Sequence, residues 1–224
     1  MVQRSDQVRR ILGLARTEAD RLGHRYLGPE HILLGILLDG GNGAARALRG
    51  QGVDLEAARA ALADLVRQGT VPAPRPSDAE LLGLLGIDLD AVRRSTERTF
   101  GPQAVEKATR EATRARRRGV GRVPRTPLRD PPLLAVQALH LAGQEARALG
   151  HREVGPELLL LGVVEDTRTP WPRCMSNPWQ RRLHASVGLP AGYRGAAGRL
   201  LGALGVDLDR LREALLAELR AAVP

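Results

Sequence analysis

Apolar side chains at Val8, Ile11, Leu12, Ala15, Ala19 and Leu22 recur every three or four residues, the spacing of one face of a helix. Ala135, Ala138, Leu139, Ala142, Ala146 and Leu149 repeat that pattern with smaller side chains. Gly23 and Gly150 follow these runs and predict a left-handed residue closing the last turn. Pro29-Glu30 and Pro156-Glu157 then fit the first turn of a second helix. Proline there forfeits no needed N–H, and a carboxylate favours the positive end of the helix dipole. Ile32–Leu38 and Leu158–Val164 are apolar on all faces, as a buried central helix requires. A short third helix is predicted at Gly43–Leu48. A fourth runs from about Leu55 to Gln68, entered through the turn at Gly52-Val53-Asp54.

These elements occur twice. EADRLGHRYLGPEHILLG at 18–35 returns as EARALGHREVGPELLLLG at 145–162, an offset of 127 residues. LRGQGVDL at 48–55 returns as LLGALGVDL at 200–208, offset by 153, so the second copy carries an insertion of 26 residues. LLGLLGIDLD at 81–90 is a third, partial copy with no Gly-His element before it. Residues 69–77 and roughly 119–132 read as linkers rich in Pro and Gly, and the insertion near 166–192 reads as an irregular loop holding Trp171 and Trp179.

Composition narrows the function classes. The chain has 224 residues, and its five aromatic side chains leave the core to Leu, Ala, Val and Ile, which favours helix-on-helix packing. The net charge is +9, almost all of the basic side chains being Arg, with Lys107 the single lysine. Arg-only usage beside abundant Ala, Gly and Pro also fits the coding bias of a GC-rich genome. The lone Cys174 excludes an internal disulfide and a multi-cysteine metal site. No apolar run reaches the roughly 18 residues of a membrane span, and the first residues lack a secretory h-region, so a cytoplasmic location is expected. A phosphate-cradling loop needs G-x-x-x-x-G-K-[ST], and Lys107 has no glycine before it in register, which excludes ATP hydrolysis by that route within these residues.

The stretch EADRLGHRYLGPEHILLGILLDGGNGAARAL resembles the amino-terminal repeat domain of Clp-type protein unfoldases, the C-type in particular. The likeness covers about residues 3–68 and, more weakly, 132–165 and 193–222. It implies an all-α fold: two four-helix repeats with pseudo-twofold symmetry, plus the extra helical central segment. The expected organisation is a first repeat at 1–70, a linker with the partial repeat and a basic helix at 71–131, and a second repeat at 132–224. The family's role in protein quality control implies a non-enzymatic binding module for client proteins, adaptors or peptide ligands. Without a motor module the chain is expected to stand alone, as a regulator or decoy of a Clp unfoldase, with no cofactor and no metal.

In relatives that bind phosphoarginine, each repeat offers a hydroxyl at the start of its first helix and the glutamate of the G-x-E-H motif. A carboxylate can accept the fork of a guanidinium, and a helix N-terminus can hold phosphoryl oxygens. The matching residues are Ser5 with Glu30, and Pro132 with Glu157. The resemblance therefore implies an intact first site and an impaired second one, since Pro132 has neither hydroxyl nor N–H. Alternatively, Ser5 is only a helix cap and the two glutamates only complement helix dipoles.

His24 and His151 are read as loop supports, and His31, replaced by Leu158 in the second copy, as no ligand. Cys174 has no recognisable base. The basic stretch RARRRGVGRVPRTPLR at 114–129 is read as a solvated linker or docking arm, with a DNA-binding regulator as the alternative function. Trp171, Trp179 and Tyr193 either anchor a partner or fold the insertion onto the second repeat.

Overall fold

A computed structural model describes residues 3–24, 26–72, 83–118, 133–169, 184, 189–190 and 193–221. The linker ends at 73–82 and 119–132, and Trp171, Cys174 and Trp179, lie outside the described residues, as do the side chains of Arg116, Arg117 and Arg118. The chain divides into two compact units, Met1–Pro74 with Asp130–Pro224, and Arg75–Arg129.

The first unit is helical, as the periodicity predicts. Its first copy holds α1 (Asp6–Arg21), α2 (Pro29–Asp39), α3 (Gly43–Gly50) and α4 (Leu55–Arg67). The second unit holds α5 (Leu89–Phe100) and α6 (Pro102–Arg118). The second copy holds α7 (Leu133–Ala148), α8 (Pro156–Arg168), α9 (Ala197–Ala203) and α10 (Leu208–Ala221). One addition escapes helical periodicity. Gln3–Arg4 (β1) pairs in parallel with Glu153–Val154 (β2), stitching the start of the first copy to the α7–α8 loop of the second.

Local chemistry sets the helix ends. Ser5 caps α1 by accepting the Val8 N–H at 3.2 Å, Asn42 caps α3, and Asp54 caps α4. Gly23 and Gly150 take the left-handed conformation expected of them, with φ of 68° and 75°.

The two copies pack alike. α1 lies on α2 and α7 lies on α8, each pair crossing at a glycine. A Cβ on Gly35 would lie 2.6 Å from the Ile11 carbonyl oxygen and 2.9 Å from the Ala15 amide nitrogen. A Cβ on Gly162 would collide with the Ala138 carbonyl oxygen and lie 2.6 Å from the Ala142 nitrogen. All three pairs, Gly35/Gly162, Ile11/Ala138 and Ala15/Ala142, differ by the same 127 residues. The central helices are therefore pressed onto backbone, and of the apolar stretches predicted to be buried on all sides, Leu158–Val164 is buried throughout and Ile32–Leu38 is buried except for Leu38, which is 37% exposed at the end of α2. α3 packs on α10 and α9 on α4, so the third and fourth helices of each copy embrace those of the other around one shared core.

Filling either crossing costs overpacking of about 1–3 kcal/mol. Gly162→Ala, where the backbone is tighter, is expected to lower stability more than Gly35→Ala. Denaturant unfolding of the two variants checks the order.

Candidate functional site

The glutamates of the Gly-Pro-Glu segments fold back over their own helix starts. A Cβ on Gly28 would fall on the Glu30 carboxylate, and one on Gly155 would lie 3.3 Å from Glu157 Oε2. Each carboxylate then reaches the opposite copy. Glu30 Oε2 accepts the Ala196 N–H at 2.8 Å, at the start of α9. Glu157 Oε1 accepts the Gly43 N–H at 2.8 Å, at the start of α3. Each copy thus caps the third helix of the other with a charge that suits the helix dipole. A Cβ on Gly43 would crowd this bond, lying 2.6 Å from Glu157 Oε1.

The two carboxylates differ in environment. Glu30 is fully buried, whereas Glu157 is half-buried. Burial pushes the Glu30 carboxyl above the ordinary range, and the Ala196 N–H pulls it back only partly. Its Oε1 has no hydrogen bond of good geometry. Tyr26, Leu134 and Leu189 form a buried cluster beside it with Tyr193 packed against them, and the two tyrosine hydroxyls lie 3.3 Å apart. The negative charge of Glu30 adds to burial in raising both tyrosines. The counterpart of Tyr26 in the second copy is the exposed Glu153, and that of Tyr193 in the first is Gly40. No such cover therefore forms over Glu157. Tyr193 serves the packing of the insertion's end.

A histidine pair lies beneath Tyr26. Gly28 N–H donates to His31 Nδ1 at 2.9 Å, which leaves the His31 proton on Nε2 to donate to His24 Nδ1 at 2.8 Å. Tyr26 stacks on His24 with ring centroids 5.2 Å apart. The His24 amide also donates to the Ala19 carbonyl. Burial drives both rings toward the neutral form, His24 to about 4 and His31 to about 3. The reading of His24 as a loop support agrees with these bonds. Asp166, also buried, is pushed up to about 6 by burial against the pull of Arg194.

Ser5 bonds within its own helix start and to the second copy. Its Oγ caps α1, its carbonyl accepts the Arg9 N–H, and its own amide donates to the Val154 carbonyl at 3.1 Å. None of its hydrogen bonds involves Glu30. The Val154 bond instead sets the start of α1 against the segment Val154-Gly155-Pro156-Glu157. The same seam borders a depression of about 210 Å3 lined by Arg4, Val136, Leu139, His140, Arg147 and Val154. Its lining combines the apolar Val136, Leu139 and Val154 with the basic Arg4 and Arg147, and Val136 is 41% exposed on α7. The periodicity of α7 marks its buried face, so this outward face passed unnoticed. The signal available was Val136, an apolar side chain off that stripe.

Residues 3–81 match the family described as the Clp repeat (R) N-terminal domain. Over residues 3–81 the chain is a Clp repeat domain. A ClpA homolog of Cyanidium caldarium, named as an ATP-dependent Clp protease ATP-binding subunit, is 27% identical over 92% of the chain and 15% of its own length. The chaperone protein ClpB of Oceanobacillus iheyensis is 24% identical over 95% of the chain and 16% of its own length. The chain thus spans about a sixth of the length of these relatives. The crystal structure of the N-terminal domain of the chaperone ClpD from Arabidopsis thaliana superposes with a TM-score of 0.51 at 15% identity, covering 97% of this chain and 95% of that one. In Clp ATPases the Clp repeat domain is the part that receives adaptors and substrates, not a catalytic module. The DNA-binding alternative finds no support in these likenesses. Among the described residues no helix is long and apolar enough to cross a membrane, and the relatives include chloroplastic proteins.

The buried histidines give the Clp repeat domain a signed pH dependence. A histidine held neutral in the fold takes up its proton more readily when unfolded, so its contribution is complete above about pH 6.5 and is lost as pH falls toward 3. Asp166 works in the opposite sense, its burial costing stability as pH rises from 3.8 toward 6. His31→Leu, which copies Leu158, is expected to flatten the acid loss of stability by about one proton between pH 6.5 and 3. Unfolding free energy measured across that range checks it.

Proposed function

We propose that this Clp repeat domain is a non-enzymatic receptor of the Clp system in the cytoplasm. It takes up client proteins or the adaptors that present them, and regulates or acts as a decoy for a Clp unfoldase. The observation that carries this reading is the solvent-open seam where Ser5 and the start of α1 meet the segment leading to Glu157, beside the apolar depression at Val136.

The chemistry of that seam fits a phosphoarginine side chain or another arginine-like peptide group. The start of α1 offers the Ser5 hydroxyl and helix-terminal N–H groups to an anion. Glu157 commits Oε1 to Gly43 and retains Oε2 for the fork of a guanidinium. The neighbouring depression suits an apolar side chain of the same peptide, with Arg4 and Arg147 attracting acidic flanks. The ligand set of the proposal is therefore Ser5 with Glu157. Glu30, sealed under Tyr26 and Tyr193, serves as a latch between the copies.

Calorimetric titration with a phosphoarginine peptide tests the reading. One site per chain is expected. Glu157→Gln and Ser5→Ala are each expected to weaken binding at least about tenfold, or about 1.4 kcal/mol. Glu30→Gln is expected to lower thermal stability while leaving the affinity of the folded protein unchanged. Equal affinity of the wild type and Glu157→Gln would overturn the assignment.

A further inference from the structure

Val136, His140, Gly143 and Arg147 follow one another at helical spacing along α7, and all four line the depression beside Val154. Duplication supplies a comparison for this stripe. At the offset of 127 residues its counterpart on α1 reads Arg9, Gly13, Arg16 and Asp20. That twin is a polar, solvated face on which Arg9 pairs with Asp6. α7 instead has an apolar side chain in place of Arg9, a glycine in place of Arg16 and a cation in place of Asp20. No packing demand accounts for Gly143, since a Cβ there would meet nothing within 4 Å. Glycine inside a helix also lowers the stability of that helix. What Gly143 supplies is room in the depression.

Charge marks the same place. The lining holds Arg4 and Arg147 and no carboxylate. Among the described residues neither of these guanidinium groups has an ion-pair or hydrogen-bond partner, whereas Arg10, Arg46, Arg59, Arg194 and Arg212 each pair with a carboxylate. The backbone of this wall is held before any partner arrives. Arg4 is in register with Val154 across the β1–β2 pair, and Arg9 Nη2 donates to the Arg4 carbonyl at 3.0 Å. A wall ordered in advance loses little freedom on binding.

Size and charge together define the partner. At about 210 Å3 the depression is smaller than the roughly 300–1,000 Å3 of small-molecule sites, and it fits a side chain rather than a whole cofactor. A nucleic-acid strand draws its affinity from a run of cations along its phosphates, whereas here two cations accompany an apolar hollow.

The geometry points to a docking surface for an acidic protein segment, which places one apolar side chain in this depression and its carboxylates on Arg4 and Arg147. This rests on the reading of the chain as a receptor for protein segments, but the segment needs no phosphoarginine. Salt weakens the contact, because exposed charges are screened over about 10 Å or less.

Fluorescence anisotropy of the full chain with a labelled, arginine-free peptide holding one leucine between aspartates tests the proposal. Saturable binding is expected, weakened about tenfold or more when serine replaces the leucine or lysines replace the aspartates, and weakened as NaCl rises from about 0.05 to 0.5 M. Gly143→Leu fills the depression. It is expected to weaken binding about tenfold or more while raising the unfolding temperature, leucine being the better helix former. Arg4→Gln combined with Arg147→Gln is expected to remove most of the salt dependence. Binding that survives Gly143→Leu, or that ignores the loss of the leucine or of the aspartates, would overturn the proposal. So would displacement of the peptide by duplex DNA, or self-association of the chain that Gly143→Leu abolishes. Failure of this peptide to bind while a phosphoarginine peptide still binds overturns this inference alone, and the reverse result overturns the phosphoarginine reading alone.

Discussion

The exchange of carboxylates between the two copies is the contact on which the repeat body depends. Glu30 holds the start of α9 and Glu157 holds the start of α3, so each copy completes a helix end that belongs to the other. An exposed helix start finds water for its free N–H groups, whereas a buried one needs an acceptor built into the protein. Ala196 and Gly43 are both buried, and the glutamates are their acceptors. The glycines at 28 and 155 leave room for carboxylates folded back over the helix start, and the glycine crossings at 35 and 162 set the central helices that carry them. Backbone approach, side-chain direction and charge converge on the Gly-Pro-Glu segment.

That symmetric device sits in asymmetric surroundings. Tyr26 and Tyr193 close over Glu30, while their counterparts Glu153 and Gly40 leave Glu157 open. Duplication supplied two equivalent carboxylates, and two aromatic side chains turned one of them into a buried latch. The repeat body thereby has unequal halves. The carboxylate that keeps partial solvent access is Glu157, which follows the Val154 carbonyl that accepts the Ser5 N–H.

Much of the fold was legible because it rests on local patterns. The buried stripe of α1, the apolar middles of α2 and α8, and the proline and glycine at helix ends follow from periodicity and backbone chemistry alone. The repeat offsets also carried the likeness of the two copies. The grouping of the site residues was less legible. Counting back from His24 joins Ser5 to Glu30 within one copy, but the Ser5 N–H donates to the Val154 carbonyl of the other copy. A two-residue strand pair leaves no period in a sequence, and neither does a side chain that crosses a pseudo-twofold axis. The mismatches of Tyr26 with Glu153 and of Tyr193 with Gly40 were the readable traces of the asymmetry.

The central claim is that Glu157 and Ser5, but not Glu30, face an incoming ligand. Amide chemical-shift mapping with a phosphoarginine peptide tests it most directly. The account predicts perturbed amides at Ser5, Asp6 and Gly155–Leu158, with those of Ala196 and Tyr26 unmoved. Perturbation centred on Ala196 and Tyr26, with Ser5 and Glu157 silent, would contradict it.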